Sequence, residues 1–545
     1  MSIEFEPQSK RLLVIGGGVA GLEVARNVAY ADYHVYLIEK EPALGGMVCR
    51  LNQLYPEGMP DAHTLQPLIE EIEKQKNIEI FTETEMIAAN GDIGNYQVEL
   101  KQKGKKKKIL VGAIVVATGL KDYEIEKVEA YGYGRYKKVL KPIEFEEKVS
   151  SGEINPVDLK SVVIINCAGS RDKNYLPHCS RVCCFIGLKE AKLIKDKNPY
   201  TEVYVSYIDM RSYGNLESFF NTLKDIYNVN FIRGRPSAIE ELNKNLYVKV
   251  EDEILGDLLK IRADYVILSH GYVGDEKVLS MLRIPLDTGD KGKFPTTYLN
   301  SLLSVDSNPK GIFVCGCAAY SKNVAETLIE ARSTALSAIN TLKDISIRTP
   351  VAEINSDICS ETHCKLCLYV CPYCAIVQEE DKIKVIPSLC MGCGICTATC
   401  PTGANTLEGY TDSDLFHQID EKVKKDDTVA FLCKWSAYGA YEKWAGNGYK
   451  NVKVIKVPCT GRISVGFILK TFQKHARNIL ISGCYPDACH YNKGNFILRK
   501  RLSVTANLIE QFGIPKEKIR IEWLGKKESG RIKSILEEMR GGERE

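Results

Sequence analysis

At 545 residues the chain is too long for one ordinary core, so several domains are expected. Its apolar content is that of a soluble globular protein. A net charge of +3 gives no reason to expect a nucleic-acid partner, and no apolar run approaches the ~18–20 residues that span a bilayer. The anomaly is 20 cysteines clustered at spacings of two and three residues, which suits metal clusters in a reducing compartment. With no basic-then-apolar N-terminal segment, no secretory signal is expected. The expected location is the cytoplasm, with a membrane's inner face reached only through partners.

The first element is the βαβ unit "RLLVIGGGVAGLEVARNVAYADYHVYLIEK". Gly16 permits the tight turn, Gly18 lets the backbone approach a pyrophosphate, and Gly21 lets helix and strand pack closely. The free N–H groups of the first helical turn favour phosphate. Glu39, with Lys40 beside it, ends the second strand, where a carboxylate accepts from ribose hydroxyls. Farther on, "GKKKKI" reads as a solvated hairpin tip, and Cys49 reads as a lone core thiol.

Two further segments bear on FAD against NAD. Glu39-x4-Leu44-Gly45-Gly46 and "AIVVATG", ending at Ala117-Thr118-Gly119, resemble the two-dinucleotide-binding, thioredoxin-reductase-like flavoproteins. That resemblance implies an FAD domain that is interrupted and then resumed. "KGIFVCGCAAYSKNVAETLIEARSTALSAI" resembles the return segment that reaches the flavin ring and ribityl chain, with Gly316 followed by Cys317 where the family usually has Asp. The FAD domain is expected over 1–149 and 286–345.

Residues 150–285 take the place of the NAD(P)H domain. "SVVIIN" is its first strand and "EVYVSYIDM" its second. The turn between them is not glycine-rich: it carries Cys167-x11-Cys179-x3-Cys183-Cys184. Four thiolates suit one iron–sulfur cluster. Adjacent cysteines are awkward for zinc, for which His178 is an alternative ligand. No Cys-x-x-Cys opens a helix here, as redox-active thiols would prefer.

Taken together, "GSRD", "YLPHCSRVCC", "LKEAKLIK", "VYVSYIDMR", "FIRGRP" and "YGYGRY" resemble the A-type subunits of heterodisulfide reductase. The resemblance implies a four-iron cluster on Cys167, Cys179, Cys183 and Cys184 beside the FAD. It also implies a flavin-proximal, catalytic role for Lys189, for which the alternative is a solvated helix lysine. Two departures stand out. An inserted ferredoxin before the "ATG" segment is missing, and "LYPEGMPDAHT" replaces a cysteine pair.

After "TLKDISIRTPVAEINSD", which reads as a linker, residues 346–410 hold a two-cluster ferredoxin module of bacterial type, an α+β fold. Its runs are Cys359-x4-Cys364-x2-Cys367-x3-Cys371-Pro and Cys390-x2-Cys393-x2-Cys396-x3-Cys400-Pro. In such paired runs three cysteines serve one four-iron cluster and the fourth serves the other. Cys359, Cys364, Cys367 and Cys400 are therefore assigned to one cluster, and Cys390, Cys393, Cys396 and Cys371 to the other. Cys374 reads as a spectator, or as a substitute for Cys371.

Residues 411–545 alternate strands and helices as a small α/β domain whose four cysteines are Cys433, Cys459, Cys484 and Cys489. Three follow strand-like runs, so they can meet at the strand ends and hold one two-iron cluster, with zinc as the alternative. "C-x-W", "C-T-G-R" and "G-C-x-x-x-x-C-H-Y" resemble the delta subunit of methyl-viologen-reducing hydrogenase, with Ser436 where that family often has a second cysteine.

The resemblances imply an FAD and iron–sulfur electron-transfer subunit with one FAD, three 4Fe–4S clusters and one 2Fe–2S cluster. Heterodisulfide reductase B- and C-like partners are implied, with a hydrogenase, formate dehydrogenase or ferredoxin as donor. The expected order runs from the two-iron domain through FAD to the ferredoxin module. A homodimer and flavin-based bifurcation stay open. One alternative is a stand-alone NAD(P)H-dependent disulfide or sulfur reductase. The other is a quinone-interacting oxidoreductase B-type subunit.

Overall fold

The computed structural model describes residues 9–54, 65–286, 294–295, 305–343, 350–359, 364–380, 382–443 and 450–540. They fall into two compact units, Met1–Ile345 and Ser346–Glu545. Most of "LYPEGMPDAHT" and part of the expected linker, 344–349, lie outside the described residues.

The first unit repeats one plan twice. Its first parallel sheet runs in the order Ile312–Val314, Ala113–Val116, Leu12–Ile15, Val35–Ile38, Ile78–Phe81. The segments LLVI, VYLI and AIVV are buried at every position, the pattern of strands covered on both faces. Helices Val19–Tyr30 and Val324–Lys343 cover one face. An antiparallel sheet of Thr84–Asn90, Tyr96–Gln102 and Lys105–Val111 covers the other. The return segment thus re-enters the sheet it left, beside Ala113–Val116. The lysine run is not a hairpin tip. The turn is Lys103–Gly104, and Lys105–Lys108 form exposed strand, with Lys107 on Glu79 at 3.1 Å and Lys108 on Glu99 at 2.9 Å.

The second sheet has the order Asn230–Arg233, Glu202–Tyr207, Ser161–Ala168, Tyr265–His270, Val139–Leu140, all parallel. Helices Pro142–Ser150, Cys183–Lys197 and Glu217–Asp225 pack on one face, and a three-stranded antiparallel sheet over Pro236–Ala263 packs on the other. This is the second nucleotide-domain scaffold.

In the second unit, short helices Leu366–Val370 and Ile395–Thr399 sit between two antiparallel strand pairs, Ile376–Glu379 with Lys382–Val385 and Ala352–Ile354 with Asn405–Leu407. Part of the expected linker is therefore strand, because Ala352–Ile354 closes the module against its own end. The remainder is a parallel sheet in the order Val452–Val457, Thr428–Cys433, Asn478–Gly483, Ile519–Trp523, with helices on both faces. The last helix, Ser529–Met539, buries Ile532, Ile535 and Leu536, so its role is packing. Among the described residues no helix is long and apolar enough to cross a membrane.

Candidate flavin and iron–sulfur centres

The first βα turn is shaped by backbone contacts that leave no room for side chains. Gly16 has φ +111°, and a Cβ there would stand 2.4 Å from Ala117 O. A Cβ on Gly21 would stand 1.8 Å from Gly16 O. The strand, the helix and the Ala117-Thr118-Gly119 turn therefore close on one another only as glycine. Gly18 is different: the nearest atom to its Cβ position is Gly46 Cα at 3.9 Å, which leaves the turn open to a ligand. Gly45 bridges to Gly18, and its N–H donates to Gly17 O at 2.8 Å. Glu39 is buried, accepting from Gly17 N–H at 2.7 Å and from Glu41 N–H at 2.9 Å. Lys40 is exposed and faces Glu41 at 4.0 Å. The Thr118 hydroxyl is buried without a hydrogen-bond partner among the described residues. An open glycine cradle, a fixed acid and an orphaned hydroxyl fit a dinucleotide.

On the return segment Gly316 has φ +62° and donates its N–H to Glu330 at 2.6 Å; buried Lys322 pairs with the same carboxylate. Cys317 directs its thiol to Lys322 O at 3.4 Å, and burial pushes its pKa up. The usual anion is thus replaced here by a neutral thiol. Cys49 is exposed, so it is no core thiol; it lies beneath Gly45, whose Cβ position is 2.2 Å from its sulfur.

At the second nucleotide turn Cys167 lies near the end of the strand Ser161–Ala168 with φ +58°, and Cys183 and Cys184 open the helix Cys183–Lys197. Thiol hydrogen bonds link Cys167 to Cys183 and Cys183 to Cys184, all three buried. Half-buried Cys179 lies on the preceding loop, its sulfur accepting from Arg181 N–H at 3.3 Å. His178 Nε2 faces the Tyr272 carbonyl at 3.4 Å. A hydrogen bond from Cys183 and, against burial, the Arg171 and Arg235 guanidiniums lower Cys167 to about 6. These arginines belong to "GSRD" and "FIRGRP", motifs that gave no hint of this role. Arg235 is held by Asp172 at 2.5 Å and Ser170 O at 3.1 Å.

Lys189 is not a solvated helix lysine. It is 3% exposed and pairs with Glu146, and with Glu190 at 3.4 Å. Burial would lower its pKa, but the two carboxylates outweigh it and hold it above its ordinary value. Glu146 also accepts from Asn52 N–H at 2.6 Å, which ties this cluster to the chain just past the Gly45-Gly46 turn.

In the ferredoxin module the two short helices start alike, after a left-handed residue, Lys365 (φ +50°) and Gly394 (φ +72°), and both end at Cys-Pro. Cys367 has Cys359 and Cys400 as charge neighbours. A cavity of about 350 Å³, its mouth included, is lined by Cys371, Cys390, Cys393 and Cys396. Burial pushes Cys367 up to about 11 and Cys396 up to about 12, so iron must displace protons to bind. Cys374 is exposed. Among the described residues no three His, Cys, Asp or Glu side chains are grouped to hold a single metal ion. A cubane cluster asks instead for four thiolates around its corners.

In the C-terminal domain Cys433, Cys459 and Cys484 stand at or just past the ends of three adjacent parallel strands. Thiol hydrogen bonds run from Cys433 through Cys484 and Cys489 to Cys459, all four buried. Trp435 stacks on His490 at 3.6 Å and donates its indole N–H to Tyr491 Oη at 3.0 Å, locking the loops that carry the thiols. This set adjoins the ferredoxin run: Cys459 is a charge neighbour of Cys393, and a Cβ on Gly461 would be 2.7 Å from Ile395. Within the second unit the C-terminal thiols therefore neighbour the ferredoxin module.

Comparison with known proteins places these features. The family described as methyl-viologen-reducing hydrogenase, delta subunit matches residues 428–542; pyridine nucleotide-disulphide oxidoreductase matches 10–165, and 4Fe-4S binding domain matches 383–404. The iron–sulfur A-type subunit of CoB–CoM heterodisulfide reductase from Methanocaldococcus jannaschii is 30% identical over 75% of this chain and 77% of that protein. The chain belongs to the family of heterodisulfide reductase A-type subunits. Similarity to the A-type subunit of a Methanosarcina acetivorans CoB–CoM heterodisulfide reductase, named as ferredoxin/F420H2-dependent, covers 97% of this chain and 79% of that one at 26% identity. The corresponding subunit of the H2/formate:CoB-CoM heterodisulfide,ferredoxin reductase of Methanococcus maripaludis is 29% identical over 68% of this chain and 70% of that one. Among solved structures, Lactococcus lactis thioredoxin reductase aligns with TM-score 0.45 and 16% identity over 61% of this chain and 99% of that one. As a member of this family, the chain is an oxidoreductase subunit with a flavoprotein half, a ferredoxin module and a delta-subunit-like C-terminal domain.

Proposed function

We propose that this heterodisulfide-reductase-like chain splits or merges electron pairs between a donor, FAD and chains of iron–sulfur clusters within a larger complex. One observation carries the reading. The first nucleotide turn is an open glycine cradle, whereas the second presents three thiols joined through Cys183 beside two arginines. A flavin supplies exchange between two-electron and one-electron steps, and clusters supply one-electron relays. Gly16, Gly18, Gly21, Glu39 and the Gly45-Gly46 turn hold the dinucleotide. Gly316, Cys317 and Lys322 face its ring end. Cys167, Cys179, Cys183 and Cys184 hold a cluster in place of a nicotinamide.

The geometry of the second unit supports a four-iron cluster on Cys371, Cys390, Cys393 and Cys396 and a two-iron cluster on Cys433, Cys459, Cys484 and Cys489; neighbouring Cys359, Cys367 and Cys400, joined by Cys364 on the strength of the sequence spacing, make the other four-iron set. Electrons then enter or leave the ferredoxin module directly through the C-terminal domain. The domain division that goes with this is 1–149 with 286–345, 150–285, 346–410 and 411–545. Partners are B- and C-like subunits together with a hydrogenase, formate dehydrogenase or ferredoxin, in a cytoplasmic complex.

The anaerobically purified chain is expected to hold one FAD and about fourteen irons. A count near ten means that one four-iron site is empty. Prompt flavin bleaching by NADH or NADPH would refute the reading in favour of a nucleotide-dependent reductase.

A further inference from the structure

The junction between the ferredoxin run and the Cys459 loop contains one fully buried guanidinium group and one half-buried one. Arg462 is 0% exposed. Its stem lies across Gly394, between Cys393 and Cys396: a Cβ on Gly394 would stand 2.5 Å from Arg462 Cδ. Nε and one Nη donate to Tyr410 O at 3.0 and 2.8 Å, and that Nη also reaches Asp412 at 2.6 Å. The other Nη is buried with no hydrogen-bond partner among the described residues. Arg501 adjoins it and donates to Gly461 O at 3.0 Å, Ile463 O at 2.5 Å and Thr399 Oγ1 at 3.1 Å.

A guanidinium keeps its charge in a protein, and a buried charge without a counter-charge is strongly unfavourable. Among the described residues the two cations have one hydrogen-bonded carboxylate between them, Asp412 on Arg462, whose side chain is 47% exposed; exposed Asp414 is a further charge neighbour of Arg462, and the Phe467 ring lies 5.0 Å from its guanidinium. A buried source of further negative charge lies beside it. The loop under Arg462 is the one that carries Cys393 and Cys396, and four thiolates with bridging sulfides make a cluster anionic.

We propose that Arg462 sets the reduction potential of the four-iron cluster held by Cys371, Cys390, Cys393 and Cys396. This rests on the cluster assignment given above. With a cluster bound there, the unpartnered Nη would be free to donate to its sulfur, and the charge, reinforced by Arg501, would favour the reduced, more negative state. The cluster is thereby poised to take one electron from the C-terminal cluster, which is oxidised by one; no proton or bond changes hands. Asp412 opposes the effect, because it neutralises the same guanidinium.

The test is an EPR-monitored redox titration of the anaerobically purified full chain. Arg462→Met is expected to lower the midpoint of one four-iron signal, and Asp412→Asn to raise it. Each shift is at least threefold in the one-electron equilibrium constant, ~28 mV on a scale of about 59 mV per tenfold. The FAD content and the other signals stay as in the parent protein. Arg462 is buried, and if Arg462→Met loses iron, half-exposed Asp412→Asn decides alone: an upward shift supports the proposal and an unchanged midpoint overturns it. Unchanged midpoints in both variants with full iron overturn it while leaving the cluster assignment intact. Absence of two four-iron signals from the second unit of the parent protein overturns the assignment itself.

Discussion

Glu146, Lys189 and Glu190 place two carboxyls and one ammonium in a site closed to water, with exposures of 0%, 3% and 0%. Fully ionised, the trio would carry an uncompensated negative charge in low-dielectric surroundings. Glu190 is the member that yields. Its oxygens lack a well-formed hydrogen bond among the described residues, and burial, opposed by Lys189 but reinforced by Glu146, raises its pKa well above the usual 4.5. It therefore holds a proton that the unfolded chain gives up above pH 4.5. From there to the folded value the native state binds one proton more. The stabilisation is complete below the unfolded value and declines by ~1.4 kcal/mol per pH unit as pH rises. Glu190→Gln keeps the shape without the proton and lacks this slope. With ~2.1 cal/mol/K of unfolding entropy per residue over the unit Met1–Ile345, the parent should lose about 2 °C of Tm per pH unit relative to the variant. Differential scanning calorimetry of the cofactor-loaded protein from pH 5 upward should show the variant gaining on the parent by that amount per pH unit until Glu190 ionises in the folded state. Parallel Tm curves across that range would mean that Glu190 is ionised and that the reasoning about the trio is wrong.

Gly21→Ala should release the dinucleotide, because the new methyl would stand 1.8 Å from Gly16 O. Overpacking of this kind costs about 1–3 kcal/mol, read as a lower Tm together with loss of flavin absorbance. Cys371→Ala should remove about four irons per chain, whereas exposed Cys374→Ala should remove none. Iron loss from Cys374→Ala and none from Cys371→Ala would make Cys374 the ligand.

Much of the fold was legible because its signals are local. LLVI, VYLI, AIVV and SVVIIN read as buried strands because parallel strands between two covering layers are apolar throughout. The lysine run misled because its charges lie on the solvent side of a strand whose turn falls two residues earlier, at Lys103–Gly104. The supposed linker misled because Ala352–Ile354 finds its partner about fifty residues away, at Asn405–Leu407. Lys189 could not be told from a solvated lysine, because the acid that buries it, Glu146, comes from another helix.

The chemistry on offer is written in the amino-acid order. Thiols at two- and three-residue spacing and glycines at a strand–helix turn act within one or two turns of chain, so their meaning survives without coordinates. Which thiols are neighbours across the chain is a matter of folding. Packing set Cys459 beside Cys393, drew Arg462 of the "CTGR" motif onto Gly394, and bonded that arginine to the half-exposed carboxylate of Asp412. Those relations join residues 50 to 68 positions apart. They arise where one module's loop packs on another's, which no local spacing encodes.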